Sequence, residues 1–124
     1  FLKIEDVTLL LFHGETLEKY SKIWELKPEE VMLNLLKKRH LDPTFEPKFY
    51  EQDPFLVDIV PDIFVAGHVH TFDAETYRGT VMVNASTWQS QTEFQKQSNI
   101  TPMPGYVFYY ELDTGNYKAL SFLS

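Results

Sequence analysis

Residues 61–70, PDIFVAGHVH, decide how the fold is read. Proline and aspartate open the stretch, four apolar residues follow, then glycine, then two histidines on either side of a valine. A short unbroken apolar run bounded by turn-forming residues is the pattern of a strand buried on both faces of a parallel sheet. A second run, DVTLLLFHG at 6–14, is built the same way: apolar residues, then His13, then Gly14. If the two strands are neighbours, their histidine-bearing ends meet at one edge of the sheet.

The segments around these strands set the architecture. ETLEKYSKIW, residues 15–24, places Leu17, Tyr20 and Trp24 on one helical face. KPEEVMLNLLKKRH, residues 27–40, is the clearest helix: Pro28 suits its first position, Glu29 and Glu30 its first turn, and Val31, Met32, Leu35 and Leu36 form its apolar face. The basic cluster at its end, residues 37–40, complements the negative end of the helix dipole, a reading preferred here to a DNA contact. Residues 42–54, with Pro43, Pro47 and Pro54, read as an irregular loop. YRGTVMVNAS, GYVFYYELD and NYKALSFL are further strand candidates, and DTGN at 113–116 is the turn joining the last two. Strand, two helices, strand, then strands alone predicts an α/β layered domain whose second half is a β meander.

Composition narrows the function classes. A chain of 124 residues, 44% hydrophobic and 15% aromatic, is at most one ordinary domain, with the composition of a globular protein rather than a disordered segment. It has no cysteine, which excludes disulfides and thiolate metal sites and is compatible with an intracellular location. No apolar run is long enough to span a bilayer, and the start, FLKIEDV, lacks the pattern of a signal peptide. It also lacks an initiator methionine, so the chain is expected to be a piece of something longer or a processed product. A net charge of −7 argues against a stand-alone nucleic-acid binder, which needs clustered Lys and Arg.

The histidines carry the chemistry. In an extended segment residues two apart share a face, so His68 and His70 are expected to aim at one point beyond the strand end. That crevice is where open α/β sheets bind ligands, and imidazole is the commonest protein metal ligand. Gly67 is expected to allow the tight backbone path there. His-x-His alone is a weak pattern, shared with surface pairs and core histidines. It is His13, in the same strand-then-glycine setting, that brings a metal site level with those alternatives. Asp58, Asp62 and Asp73 are either ligands or solvated carboxylates, and their spacing does not separate the two. His40, in a charged helix end, is set apart.

LLLFHG followed by PDIFVAGHVH is similar to the last two motifs of the calcineurin-like metallophosphoesterases. The continuation from Tyr77 to Gly115 resembles, more specifically, the small subunits of archaeal D-family DNA polymerases, which carry the proofreading 3′–5′ exonuclease. LLKKRHLDP at 35–43 fits that family too, and the run from Asn84 to Gly105 is its most specific part. The resemblance spans nearly the whole chain. It implies two divalent metal ions, manganese in the nuclease branch, with His13 and His68 on one and His70 on the other. The family's earlier motifs, D-x-H, G-D-x-x-D and G-N-H-[DE], are absent here, and with them the bridging carboxylate and the catalytic histidine. Residues 1–124 are therefore expected to be one incomplete domain, the C-terminal half of a layered β-sandwich flanked by helices. It would hold no catalytic residue and be inactive alone.

The implied partners are the large polymerase subunit, a DNA 3′ end and the missing N-terminal half of the domain, with no membrane. The implied location is the cytoplasm, at the nucleoid. Two other classes stay open. One is a non-catalytic scaffold like the related B-subunits of eukaryotic replicative polymerases, against which His13, His68 and His70 argue. The other is a metallophosphoesterase acting on nucleotides or phosphoproteins, against which the polymerase-like tail argues. NASTWQSQTEFQ, residues 84–95, is either a surface loop with Trp88 and Phe94 tucked beneath it or, with Asn84 and Trp88, a rim that meets DNA or the large subunit.

Overall fold

The computed structural model describes residues 1–45, 52–85, 87–88, 91–93 and 102–122. A five-stranded mixed sheet forms the middle layer, in the order β1(Leu2–Ile4), β2(Val7–Phe12), β3(Ile63–Ala66), β5(Thr80–Asn84), β4(Asp73–Tyr77). Strands β2, β3 and β5 run parallel, with Phe12 beside Ala66 and Ala66 beside Asn84, so their C-terminal ends share one edge. The two outer strands are antiparallel to their neighbours. The connection from β2 to β3 carries both helices, α1(Glu15–Trp24) and α2(Pro28–Lys38). A separate hairpin, β6(Tyr106–Tyr110) and β7(Tyr117–Ser121), closes the chain.

Alternation along the strands assigns the two faces. Leu10, Phe64, Ala66 and Met82 point to the helices and join Leu17, Tyr20, Val31, Met32, Leu35 and Leu36 in the larger core. The four α2 residues expected on its apolar face are all buried there, and Tyr20 stacks on Trp24 at 4.4 Å in α1. Val7, Ile63, Val81 and Val83 point the other way, where Phe108 and Tyr110 of the hairpin pack on them. The domain is thus an α/β fold with helices on one face of the sheet and a two-stranded ribbon on the other.

Three expectations need correction. The second half is not a simple meander, because β5 pairs in parallel with β3 in the middle of the sheet, while β4 takes the edge. The segment YRGTVMVNAS is not one strand: Tyr77 ends β4, and Arg78 and Gly79, both with positive φ, turn the chain into β5. Strand β4, DAETY, has no apolar alternation because it is an edge strand with partly exposed side chains, and so it gave no signal. Nor is β2 buried on both faces, since the hairpin-side cluster takes in Val7 and Leu9 and leaves Leu11 56% exposed.

Residues 42–45 and 52–54 form irregular loop as expected. Two polar clusters hold that loop. Tyr20 hydroxyl reaches the Asp42 carboxylate and accepts from the Thr44 main-chain N–H at 3.0 Å. His40 Nε2 lies 2.5 Å from Asp53 Oδ2 while its Nδ1 accepts from the Asp42 N–H at 3.0 Å. His40 therefore has both ring nitrogens engaged, and its role is to fasten loop to helix.

Candidate metal site at the strand ends

Where β2 and β3 stop, their chains run close together. Gly67 N–H donates to His13 C=O at 3.2 Å, continuing the ladder one residue past the strands. The tight approach falls on Gly14, not on Gly67. Gly14 has φ +101°, and a Cβ there would sit 2.4 Å from the Gly67 carbonyl oxygen, inside any permitted contact. A Cβ on Gly67 would meet nothing nearer than the His13 carbonyl oxygen at 3.6 Å. Gly14 is also the residue from which α1 departs, its carbonyl accepting from Leu17 N–H at 3.0 Å. One glycine thus lets a strand end, a helix begin and a neighbouring strand end pass at backbone contact.

His68 and His70 are not in an extended segment. Both lie in the left-handed region, at φ 72° and 60°. The reasoning that placed them on one face by strand periodicity therefore fails. Histidine enters this region more readily than most residues, but each such backbone still costs of order 1–3 kcal/mol and persists where the surroundings impose it. Val69 N–H folds back to Gly67 C=O at 2.9 Å, and His70 C=O accepts from Met103 N–H at 2.8 Å, which ties the turn to the stretch preceding β6.

The structure brings His13 and His68 together, with ring centroids 5.1 Å apart and planes at 44°. Each ring meets a carboxylate from the first turns of α1. His13 Nδ1 lies 3.0 Å from Glu15 Oε2, and His68 Nε2 lies 3.1 Å from Glu18 Oε2. The hydrogen bond from His68, followed by that from Lys22, holds the Glu18 carboxyl below its ordinary range. Neither Glu15 nor Glu18 was picked out in the sequence. The signal was there: an acidic first turn directly after the strand-histidine-glycine element must lie over the strand ends.

Two imidazoles on one ion, each with its nitrogen about 2.1 Å from the metal, have ring centres roughly 5–6 Å apart. The His13–His68 pair fits that spacing, and carboxylate partners of this kind orient metal-bound imidazoles. The set is small, however: among the described residues no three His, Asp or Glu side chains form a group that could hold an ion, so His70 does not complete a triad with the pair. The chain's own donors fit part of one site and not two.

Asn84 stands at the same edge, at the end of β5, 1% exposed. Its Nδ2 donates to Thr71 Oγ1 at 2.7 Å, fixing the turn that follows His70, while its Oδ1 is buried with no partner among the described residues. Asp73 pairs across from it on β4, and burial, with Glu75 and Glu29 nearby, pushes its carboxyl up. Asp62 instead lies at the start of β3 and accepts from the Thr8 N–H at 2.8 Å, a structural role. Asp58 is an exposed loop residue. Trp88 is 69% exposed, its ring 6.1 Å from Phe122, so it is not tucked beneath the loop. Phe94 lies outside the described residues.

Helices on one side and a ribbon on the other define an α/β domain, and its histidine pair stands at the shared C-terminal edge of parallel strands, the edge at which open α/β sheets in general bind ligands. No family model matches the chain. Its sequence is 47% identical over 118 residues to the DNA polymerase II small subunit of Archaeoglobus fulgidus, covering 89% of this chain and 24% of that protein. To the same subunit of Pyrococcus furiosus it is 38% identical over 130 residues, covering 98% and 21%. To that of Thermoplasma acidophilum it is 35% identical over 122 residues, covering 90% and 24%. In sequence the chain is a relative of one segment of the archaeal DNA polymerase II small subunit, the small subunit of the D-family polymerase. It spans about a quarter of the length of the curated relatives it matches. Among the described residues no helix is long and apolar enough to cross a membrane.

Proposed function

We propose that the chain is the C-terminal part of a calcineurin-like phosphoesterase domain in a D-family DNA polymerase small subunit, acting in 3′–5′ proofreading inside the cell. The observation that carries this reading is the His13–His68 pair, set ring to ring at the ends of adjacent parallel strands. The left-handed backbone at His68 and His70 supports it, because strain of this kind collects where a site imposes it. His13 and His68 would hold one divalent ion, manganese in this reading, and His70 would join the second once the rest of the domain supplies further ligands. Such ions, when bound, polarise the phosphodiester and lower the pKa of water. This chain's own residues position: Glu15 and Glu18 orient the two rings, Asn84 pins the turn after His70 through Thr71, and exposed Trp88 lies on the rim offered to DNA or to the large subunit. No catalytic acid or base is assigned within the chain, which is expected to be inactive alone.

The test uses the complete small subunit assembled with its large subunit, with His68→Ala and His70→Ala made separately. Each is expected to lower Mn²⁺-dependent removal of a mismatched 3′ end by orders of magnitude, while DNA synthesis and circular dichroism stay unchanged. Wild-type removal by either variant would point instead to a scaffold subunit. A metal reading on this chain is independent of activity: calorimetry is expected to show weak Mn²⁺ binding, lost in the His68→Ala, His70→Ala double variant.

A further inference from the structure

At the end of the sheet away from the histidines, cations distant in sequence come together. Lys37 Nζ lies 5.3 Å and Arg78 Cζ 5.5 Å from the centroid of the same ring, Tyr77. Arg39 lies beside them, its Nε and Nη2 donating to the main-chain carbonyls of Val57 and Asp58 at 2.9 and 3.1 Å. These three cations and Tyr77 line a recess of about 280 Å³, with exposed Val60 on its wall. Among the described residues none of the three meets a carboxylate, although the chain carries seven more acidic than basic side chains. The helix dipole accounts for Lys37 and Arg39 at the end of α2, but Arg78 belongs to the β4–β5 turn, where no helix end needs it. Tyr77 packs against the helix-side core, so its ring is a fixed post between the two charges.

We propose that this recess is a phosphate-backbone contact for a nucleic acid, read without regard to base sequence. Lys and Arg on fixed elements, facing one recess and met by no carboxylate among the described residues, are the footprint of such a contact. Tyr77 is occupied by Lys37 and Arg78, so it is not offered as a stacking platform, and the contact is to phosphates rather than bases. The choice of nucleic acid over an acidic peptide rests on the polymerase-subunit reading. The recess itself does not depend on the histidines, because Arg78 precedes β5 while the histidine edge lies at its far end.

The experiment titrates the ¹⁵N-labelled chain with hexathymidylate, in chelator and low salt, and repeats it with hexadeoxyadenylate and hexaglutamate. Amides of Lys37–Arg39 and Tyr77–Gly79 are expected to shift saturably with both oligonucleotides. Two phosphate contacts at the single-strand salt slope predict about 25-fold weaker binding over a tenfold rise in salt. The shifts are expected to vanish in Lys37→Glu, Arg78→Glu and to weaken in the milder Lys37→Gln, Arg78→Gln, while persisting in His68→Ala. No shift at these amides would overturn the proposal, as would hexaglutamate moving them at equal or lower concentration than the oligonucleotides. Because the titration contains no free metal, its failure leaves the exonuclease assay untouched. If the small subunit proved unable to pair with a large subunit while the oligonucleotides still titrated here, the polymerase reading alone would fall.

Discussion

Two histidine–carboxylate pairs in this chain share one chemistry and differ in what surrounds them. His40 and Asp53 are largely buried, 16% and 22% exposed, and His40's second ring nitrogen accepts a main-chain N–H. His68 and Glu18 are 35% and 39% exposed, at a strand edge, in a backbone conformation that costs free energy, with a second imidazole beside them. The first pair has both histidine nitrogens committed to holding a loop. The second leaves an imidazole at the surface with ligating capacity. The two pairs differ in whether the rest of the imidazole is committed to the fold and in what the backbone gives up to place it.

The strongest way to break the comparison is to destroy the edge itself. Gly14→Ala would put a methyl carbon 2.4 Å from the Gly67 oxygen at a φ that L residues avoid. The expected loss is more than about 3 kcal/mol, seen as a melting temperature lowered by over ~10 °C or as failure to fold. Gly67→Ala is the control, since its Cβ finds only an ordinary contact at 3.6 Å. If both variants melt alike, the close approach is not what sets this edge.

Next is His40→Ala, which strands Asp53 and the Asp42 N–H together. A melting temperature roughly 5–10 °C lower is expected. The acid limb adds a sharper reading. The hydrogen bond from His40, with the Phe55 N–H, holds the Asp53 carboxyl below its usual 3.8. A depressed folded-state value means this stabilisation is complete above the unfolded pKa and is lost as pH falls through the folded one. Asp53→Asn is therefore expected to melt below wild type at pH 6 and to converge with it as pH falls through the folded-state value. A constant gap across that range would show that Asp53 acts without its charge.

Much of this is legible in the sequence itself. The two strands that end in histidine and glycine are neighbours with their ends at one edge because apolar runs in βα units have few other places to go. The α2 face was plain because Val31, Met32, Leu35 and Leu36 keep helical period. What failed to show did so for physical reasons. Strand β4 is an edge whose side chains answer to solvent rather than to a core. The backbone of His68 and His70 obeys a turn, and periodicity holds only inside a strand. The Gly14 contact is between backbone segments 53 residues apart in sequence, and glycine looks the same in a loose turn as in a tight crossing. The Tyr77 cation pair depends on a hairpin turn meeting a helix end, a long-range fact that no local pattern carries.

The smallest effect is expected from Glu18→Gln. Its carboxylate is 39% exposed, where ion pairs are screened and worth about 0.2–1 kcal/mol, and glutamine still accepts from His68. Because His68 and then Lys22 hold its carboxyl below the usual 4.5, the contribution exists above that value and disappears as pH drops through the folded one. The melting temperature should therefore fall by no more than a few degrees at pH 6 and match wild type once pH has dropped through the folded-state value. The same substitution changes the group that orients the His68 ring, so Mn²⁺ binding by calorimetry should weaken although stability hardly moves. That split is the signature that distinguishes the strand-edge pair from His40–Asp53. A Glu18→Gln variant that loses as much stability as Asp53→Asn, with Mn²⁺ binding intact, would make both pairs structural and leave His68 with no ligand role to fill.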